Sequence, residues 1–465
     1  MKAWEREYKL MSEAIPVVLQ EEEQGWSAMG DVEKADDALL RIKWQSNVPG
    51  SNAPERVIIA AVADMENMGY DVSEAEKLID EGLEYLQKND MVSLNRITCR
   101  MWRIFDNAKK IKGHPSHKFR VYDTFNKYLS EVNKKQVLPE YDKNSDDYFQ
   151  RTYYGWLAQI VGGAIGTAVE GYVTKNIRKA FGEIYDYVRK PNTFNDDITY
   201  EIAFLKALSR KGENISSADI AEEWAALIPS GWSAEEWALR NIKMGIYPPE
   251  SGILHNPYRE WIGAQMRGAV CGMVAPGKPL EAARYAFMDG VVSHYNNGVL
   301  GEIFNAVMAS LAYIIGDVKQ ILFDSVYKYL PKKSEYFSVV DYAYRCCQNN
   351  ADWESAWKMA IEKYKKYNWV HAYPNALAEV IALYFGGGDF DETMHIVSMI
   401  GYDVDCNAAQ IAAVLGIIGK EKTVSEKWTK PIGDTLNTYV RDNKVLSIKG
   451  LAAETVEITR NLRKK

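Results

Sequence analysis

The sequence has few cysteines, and none of them stands in a Cys-x-x-Cys pair. Five cysteines without such pairing argue against a disulfide framework and against a zinc site built from thiolates. The chain also begins with charged residues rather than with an apolar run, which differs from a secretory signal. We therefore expect reduced thiols and a cytoplasmic protein.

Long runs of one residue class are missing as well. No cluster of Lys and Arg is long enough to neutralise a track of phosphates, and the net charge is −7, so we expect no nucleic acid duplex as a partner. The most apolar stretches, such as residues 156–169, are too short and too rich in glycine to span a bilayer, so we expect no membrane partner. A small anionic ligand is compatible with this charge if metal ions supply the positive charge.

Segments with the alternating pattern of a β-strand are also missing, whereas helical spacing recurs along the chain. Hydrophobic residues make up 47% and aromatic residues 12% of the sequence, which is typical of a folded chain. Apolar residues at positions 198, 202 and 205, and again at 377, 380, 381 and 384, are three or four apart, as on one face of a helix. The sequence predicts an all-α protein.

A polar stretch divides the chain. Residues 131–147 contain few apolar side chains and several turn-forming residues, while helical patterns lie on both sides of the stretch. We therefore expect a helical N-terminal extension over residues 1–147 and a second domain over residues 148–465.

Acidic residues stand at three corners between predicted helices. Glu170 follows a segment of small residues, Asp196 and Asp197 begin a helix, and Asp403 and Asp405 precede another. An acid at a helix N-terminus is usually a cap, and each corner taken alone is compatible with capping. Two adjacent acids exceed the need of one cap, and an Asp-x-Asp corner can direct two carboxylates toward one cation that prefers oxygen ligands, such as Mg²⁺ or Mn²⁺.

In their order and spacing, these corners resemble motifs of the ADP-ribosylglycohydrolase family, which includes the dinitrogenase-reductase-activating glycohydrolase. The segment GGAIGTAVE (162–170) looks like the family's Gly-Asp-Ala-Leu-Gly-x-x-x-Glu, NDDI (195–198) like its Thr-Asp-Asp-Thr, and GYDVDCNA (401–408) like its Gly-Gly-Asp-Thr-Asp-Ser/Thr/Cys-Asn-Ala. Residues 256–267, 276–279, 289, 293–294, 371, 375 and 386–390 are similar to an uncharacterised bacterial branch of that family. The resemblance covers roughly residues 149–420.

The resemblance implies an orthogonal helical bundle with two Mg²⁺ or Mn²⁺ ions at its centre. Carried over by position, the groups at the metal site are Asn195, Asp196, Asp197, Asp403, Asp405 and Cys406, and either Glu170 or Asp197 activates water. Candidates for substrate binding are Gly166, His294, Tyr295, Asn297 and Gly298. Asn195 and Cys406 stand where the family usually has Thr and Ser or Thr, and Ile198 and Gly163 also depart from its pattern.

The implied function is hydrolysis of a ribosyl glycosidic bond, with ADP-ribose removed from a protein or a small-molecule acceptor. The alternative among enzymes is an N-glycosidase that acts on a small nucleoside or nucleotide. A non-catalytic module that binds ADP-ribose or a nucleotide is the alternative outside catalysis. A helical scaffold whose acids serve only as caps is a weaker interpretation, because capping does not require several motifs in family order.

Overall fold

The structure is a computed structural model that describes residues 1–132 and 137–462 of the 465-residue chain. Its regular structure is almost entirely helical, which confirms the predicted all-α fold with a helical N-terminal extension. Two short strands, β1 (Thr435–Asn437) and β2 (Val445–Ser447), pair antiparallel near the C-terminus, with Leu436 opposite Leu446.

The N-terminal helices other than the first and the seventh form a small core of their own around the buried indole of Trp44, whereas the first has no buried residue and Tyr128 of the seventh belongs to the larger core. This core also packs against Ala234, Tyr258 and Trp261 of the following region. The N-terminal helices are α1 (Ala3–Glu13), α2 (Met29–Trp44), α3 (Val57–Asn67), α4 (Ser73–Glu76), α5 (Ile79–Lys88), α6 (Met91–Asn107) and α7 (Phe125–Leu129).

The remaining helices surround a larger core. They are α8 (Asp146–Gly166), α9 (Thr174–Phe181), α10 (Asp196–Lys211), α11 (Ser217–Leu227), α12 (Ser233–Lys243), α13 (Glu250–Ile253), α14 (Ala269–Met273), α15 (Pro279–Gly290), α16 (Asn297–Leu311), α17 (Val318–Tyr329), α18 (Glu335–Gln348), α19 (Trp353–Tyr364), α20 (Ala372–Gly386), α21 (Phe390–Ile400), α22 (Val404–Gly419), α23 (Glu426–Thr429) and α24 (Ile448–Asn461). Short 3₁₀ turns occupy Glu21–Glu23, Gly25–Ala28, Pro115–Lys118, Gly212–Asn214, Gln265–Arg267 and Lys420–Lys422. Helices α16, α20 and α22 are buried on nearly all sides, as expected for helices that are apolar all round.

Helices α8 and α22 run antiparallel and in close contact. Gly155 near the middle of α8 faces Ile417, whereas Gly166 at its end faces Asp405 at the start of α22. A Cβ atom on Gly162 would lie 2.4 Å from the carbonyl oxygen of Ala408, closer than real Cβ contacts. Glycine is therefore needed on α8 to let the two backbones approach.

The antiparallel contact brings the chain after α8 next to the chain before α22. The amide of Gly171 donates a hydrogen bond to the carbonyl of Tyr402 (2.8 Å), and the amide of Tyr402 donates to the carbonyl of Tyr172 (2.9 Å). Gly401 and Gly171 both have positive φ, which allows the two corners to cross this closely. Two of the acidic corners thus lie side by side.

The predicted domain boundary at residue 147 stays a prediction. Residues 133–136 of the polar stretch lie outside the described residues. The change of hydrophobic cluster comes before that stretch: the cluster of the N-terminal helices reaches Phe105, and the larger cluster already begins at Tyr122. Among the helices of residues 1–132 and 137–462, none has the length and apolar composition needed to cross a bilayer.

The α8–α22 contact makes Gly162→Ala destabilising. We expect this substitution to lower the free energy of unfolding by about 1–3 kcal/mol, because the new methyl group meets backbone that cannot move aside. Denaturant unfolding followed by circular dichroism measures the loss.

Gly30→Ala is the matched control, because Gly30 is also helical and a Cβ atom there meets nothing within 4 Å. It should leave the free energy of unfolding unchanged or raise it by up to about 1 kcal/mol. Equal stability of Gly162→Ala and the wild type would contradict the close helix contact.

Candidate functional site

A cavity of about 360 Å³ opens where the ends of α8, α10 and α22 meet. Its walls also include Val48, Pro49 and Gly50 from the N-terminal region and Trp232 ahead of α12. Six acidic residues line the cavity, namely Glu55, Glu170, Asp196, Glu235, Asp403 and Asp405. Among its lining residues, all in the described part of the chain, there is no Lys, Arg or His.

The acid corner before α22 is not a helix cap. Asp403 occupies the N-cap position, but its side chain makes no capping hydrogen bond. The amide of Asp403 is instead held by the side-chain oxygen of Asn375 (3.2 Å), which also accepts a hydrogen bond from Asn407 (2.8 Å). The carboxylate of Asp403 is therefore buried without capping the helix, and that of Asp405 is buried in the first turn of α22.

The acid corner before α10 has a cap that is not one of its acids. The cap of α10 is Asn195, whose Oδ1 accepts a hydrogen bond from the amide of Asp197 (2.7 Å). Its Nδ2 faces Oδ2 of Asp405 at 3.5 Å. Asn195 thus links two acidic corners, and Asp196 and Asp197 are not needed as caps.

Two departures from the family's pattern lie against each other. A Cβ atom on Gly163 would stand 3.0 Å from Nδ2 of Asn195. The absence of a side chain at position 163 therefore leaves the space that the Asn195 side chain approaches. The two departures are coupled by packing.

Cys406 joins the acids as a hydrogen-bond donor. Its Sγ lies 3.3 Å from Oδ1 of Asp197 and 3.8 Å from Sδ of Met266. Ligand atoms of Asp403, Asp405 and Cys406 all lie within 4.8 Å of one another. Burial, and then the neighbouring acids, raise the pKa of the Cys406 thiol well above its ordinary value, so the thiol keeps its proton.

The structure brings the five predicted acids into one electrostatic cluster. Burial, and then the charges of neighbouring acids, raise the pKa values of Glu170, Asp197 and Asp403 well above the ordinary range. Burial, with a contribution from Asp405, raises the pKa of Asp196 to about 6. Like charges this close are stable only if they are protonated or neutralised by cations.

Buried oxygens without hydrogen-bond partners support neutralisation of the acids by cations. Oδ2 of Asp197 and Oδ1 of Asp405 are buried and have no hydrogen-bond partner. Buried polar atoms normally find a partner, and an ion is one explanation when they do not. The donor set, dominated by carboxylate oxygens, fits Mg²⁺ or Mn²⁺. The individual roles as ligand or base stay predictions.

The predicted substrate-binding loop does not reach this cavity. His294 is fully buried, where Nδ1 meets the hydroxyl of Ser293 at 2.7 Å and Nε2 lies 3.9 Å from Oε1 of Glu235. Asn297 donates a hydrogen bond to Glu260 (3.0 Å). The side chains of this loop are engaged in local packing.

The other three residues predicted to contact the substrate, Tyr295, Gly298 and Gly166, also make close contacts within the fold. The amide of Tyr295 donates to the carbonyl of Arg259 (3.0 Å), and a Cβ atom on Gly298 would lie 2.5 Å from that same oxygen. A Cβ atom on Gly166 would lie 2.2 Å from Cα of Asp405. Gly166 therefore serves the α8–α22 contact, and neither it nor Tyr295 nor Gly298 lines the cavity.

Sequence reasoning missed Glu235. Its carboxylate lines the cavity, and Oε1 lies 3.4 Å from Nη1 of the buried Arg267, which also pairs with Asp289 and lies 3.8 Å from Glu302. Burial raises the pKa of Glu235 to about 7 even though Arg267 lowers it. Glu235 stands in the first turn of a helix. An acid at that position is common because it interacts favourably with the positive end of the helix dipole, so the sequence gives no reason to single it out.

Comparison with known proteins identifies the family to which the chain belongs. The family model for ADP-ribosylglycohydrolase matches residues 144–460. The chain belongs to this family, and membership supports a glycohydrolase-type activity. The residues before position 144, including those that line the cavity, lie outside the match.

Two similar proteins are distant in sequence. An uncharacterised protein of Archaeoglobus fulgidus is 24% identical over 292 residues, which cover 60% of this chain and 90% of that protein. A solved structure described as an ADP-ribosylglycohydrolase-related protein complex is 16% identical, with a TM-score of 0.48, and covers 69% of this chain and 100% of its own.

The clustered acids make metal-dependent stability testable. We expect Mg²⁺ or Mn²⁺ at about 100 times its dissociation constant to stabilise the wild type by about 2.7 kcal/mol, measured by thermal unfolding. Asp405→Asn should reduce this effect. Without metal it should be at least as stable as the wild type, because one repelling charge is removed. The exposed Asp80→Asn is the control, and an equal metal response of both variants would contradict the site.

The same site predicts the direction of a pH effect. Because the pKa of Asp196 is raised to about 6, protons compete with the cation below that pH. Titration of metal into the protein should therefore give weaker binding at pH 5 than at pH 7.5. Equal affinity at the two pH values would show that the cation binds elsewhere.

Proposed function

We propose that this protein is a metal-dependent hydrolase that cleaves a ribosyl glycosidic bond and most readily removes ADP-ribose from a protein or small-molecule acceptor. The observation that carries the proposal is the cluster of Glu170, Asp196, Asp403 and Asp405 at one cavity with the buried Asp197 beside them, in which Oδ2 of Asp197 and Oδ1 of Asp405 have no hydrogen-bond partner. Membership in the ADP-ribosylglycohydrolase family supports the same reaction class.

The ligand set would hold two ions of the Mg²⁺ or Mn²⁺ type. Asp403 and Asp405 at the start of α22, with Asp196 and Asp197 at the start of α10, would supply the oxygen ligands. Bound there, such ions supply positive charge that orients the ribose hydroxyls and favours ionised carboxylates.

Glu170 is the better candidate for the residue that activates water. Its carboxylate lines the cavity, whereas Asp197 is fully buried and does not. Water and the anomeric carbon reach only a group that faces the cavity. Glu170 takes a proton from that water as the oxygen attacks the anomeric carbon, and the bond to the leaving group breaks through an oxocarbenium-like state.

The main alternative is an N-glycosidase that acts on a small nucleoside or nucleotide. It is favoured by one observation: the cavity lining offers no Lys, Arg or His among the described residues to pair with a diphosphate. A substrate without a diphosphate would fit this lining with the metal ions alone. Binding of ADP-ribose without turnover would favour a non-catalytic module.

The decisive experiment is product identification. The protein is incubated with Mg²⁺ or Mn²⁺ and with ADP-ribosylated proteins, ADP-ribosyl small molecules and nucleosides, and the products are identified by mass spectrometry. Free ADP-ribose supports the proposed reaction, and a free base supports the alternative. Intact substrates throughout the panel would rule out both reactions.

Replacement of Glu170 tests the assigned role. We expect Glu170→Gln to lower kcat by about 10²–10⁴-fold at saturating metal, because the amide cannot accept the proton from water. The exposed Glu222→Gln should keep wild-type kcat. A Glu170→Gln enzyme with wild-type kcat, combined with an inactive Asp197→Asn enzyme, would move the role to Asp197.

A further inference from the structure

One wall of the cavity comes from outside the part of the chain that matches the family. Residues 46–55, which we call the N-terminal wall, connect α2 and α3 and place Val48, Pro49, Gly50 and Glu55 at the cavity. The family match begins at residue 144. The chemistry that this wall presents to a ligand is therefore a property of this chain and not of the matched family pattern.

The N-terminal wall is a fixed structure. Ser46 and Glu55 exchange two backbone hydrogen bonds of 2.9 Å, which close the segment at its base. The hydroxyl of Ser51 donates to the carbonyl of Glu170 (2.7 Å), and Nη1 of Arg189 donates to the carbonyl of Gly50 (2.8 Å). A loop tied at its base and at its tip is ordered before a ligand arrives, which reduces the cost of binding.

The tip of the wall lies beside the proposed water-activating group. A Cβ atom on Gly50 would lie 2.2 Å from Cγ2 of Thr167 and 3.2 Å from Oε1 of Glu170. Because Glu170 acts at the anomeric carbon in the proposed function, the wall borders the space around that carbon. A group attached to the anomeric carbon therefore lies next to the wall.

Glu55 and Trp232 form the polar and aromatic part of this side of the cavity. The indole Nε1 of Trp232 lies 3.1 and 3.2 Å from the two carboxylate oxygens of Glu55, and Ser46 donates to Oε2 at 3.3 Å. A carboxylate has about four acceptor positions, so these contacts leave capacity for a ligand. The hydrogen bonds also hold the indole in place at the cavity.

We propose that the N-terminal wall selects the substrate, and that Glu55 and the Trp232 indole contact a planar, nitrogen-bearing group attached to the ribose. An aromatic face and an oxygen acceptor together suit a planar group that carries N–H donors. Two sources share this chemistry, namely a nucleobase and the guanidinium of a modified acceptor. The proposal rests on the proposed function, which supplies the ribose and the bond to be cleaved.

The same surroundings disfavour an anionic group at the wall. The acidic side chains of the cavity have no basic partner among its lining residues, all of them described. Two basic side chains lie beside this part of the cavity without lining it. Arg189 is exposed and bonds to the carbonyls of Gly50 and Thr167 (2.8 and 3.3 Å), and Lys43, whose Nζ lies 5.4 Å from the centre of the Trp232 ring, pairs with Glu236. The lining itself therefore offers an anionic group no basic side chain.

The test compares substrates by the group on the ribose whose glycosidic bond is cleaved. That group is a planar guanidinium in ADP-ribosylated agmatine and adenine in adenosine, whereas it is a serine oxygen in a serine-linked ADP-ribosyl peptide. We expect Glu55→Gln to lower kcat/KM for one or both planar substrates by about tenfold or more, mainly through KM, and to change the serine-linked substrate by less than about twofold. A loss confined to agmatine or to adenosine identifies the source.

Controls separate selection from folding. The exposed Glu74→Gln, also in the N-terminal region, should change none of the kinetic constants. Trp232→Phe keeps an aromatic ring but removes the N–H that holds Glu55, and should shift selectivity in the same direction if Glu55→Gln does not fold. Equal losses for all substrates, or no loss for any, would overturn the proposal.

A binding measurement distinguishes failure of the proposed function from failure of the proposal that the N-terminal wall selects the substrate. If the wild type hydrolyses no substrate, equilibrium dialysis with agmatine and with adenosine in the presence of Mg²⁺ measures binding directly. Binding by the wild type that weakens about tenfold in Glu55→Gln supports the wall without the reaction. Failure of the wild type to bind either probe, or equal binding by both proteins, overturns it.

Discussion

The close antiparallel contact of α8 with α22 is the constraint on which the site depends. It requires glycine at positions 162 and 166, where any side chain would meet the backbone of the partner helix. Because the helices are antiparallel, the end of one lies at the start of the other, and Glu170 comes next to Asp403 and Asp405. A helix contact that depends on glycine against backbone thus determines where the acids are.

Concentrating acids in this way works against the stability of the fold when no cation is present. The raised pKa values of Glu170, Asp197 and Asp403 express that cost, since each group holds a proton that an exposed carboxyl would lose. The surrounding helices tolerate it because they are apolar and buried, as α16, α20 and α22 are. The apolar helices around the cavity stabilise the fold, and the acids at the cavity are available for ligands.

The sequence predicted what is local and missed what depends on distant contacts. Helical spacing and the three acidic corners are readable because each is a short, continuous pattern. Glu55 and Trp232 are 177 positions apart, and only the fold brings them together. His294 is the converse case: a polar residue in a loop suggested ligand contact, and the fold places its ring in the interior beside Ser293 and Glu235.

The division of the cavity between two parts of the chain separates its two tasks. The acids come from residues that match the family, and their positions follow from helix ends that cannot shift without breaking the core. The N-terminal wall is a connection between two helices, held by side-chain and backbone hydrogen bonds and by the buried Ala53. Such a connection tolerates sequence change better than a helix contact does. Substrate preference is therefore free to vary at the wall while the acid cluster is kept.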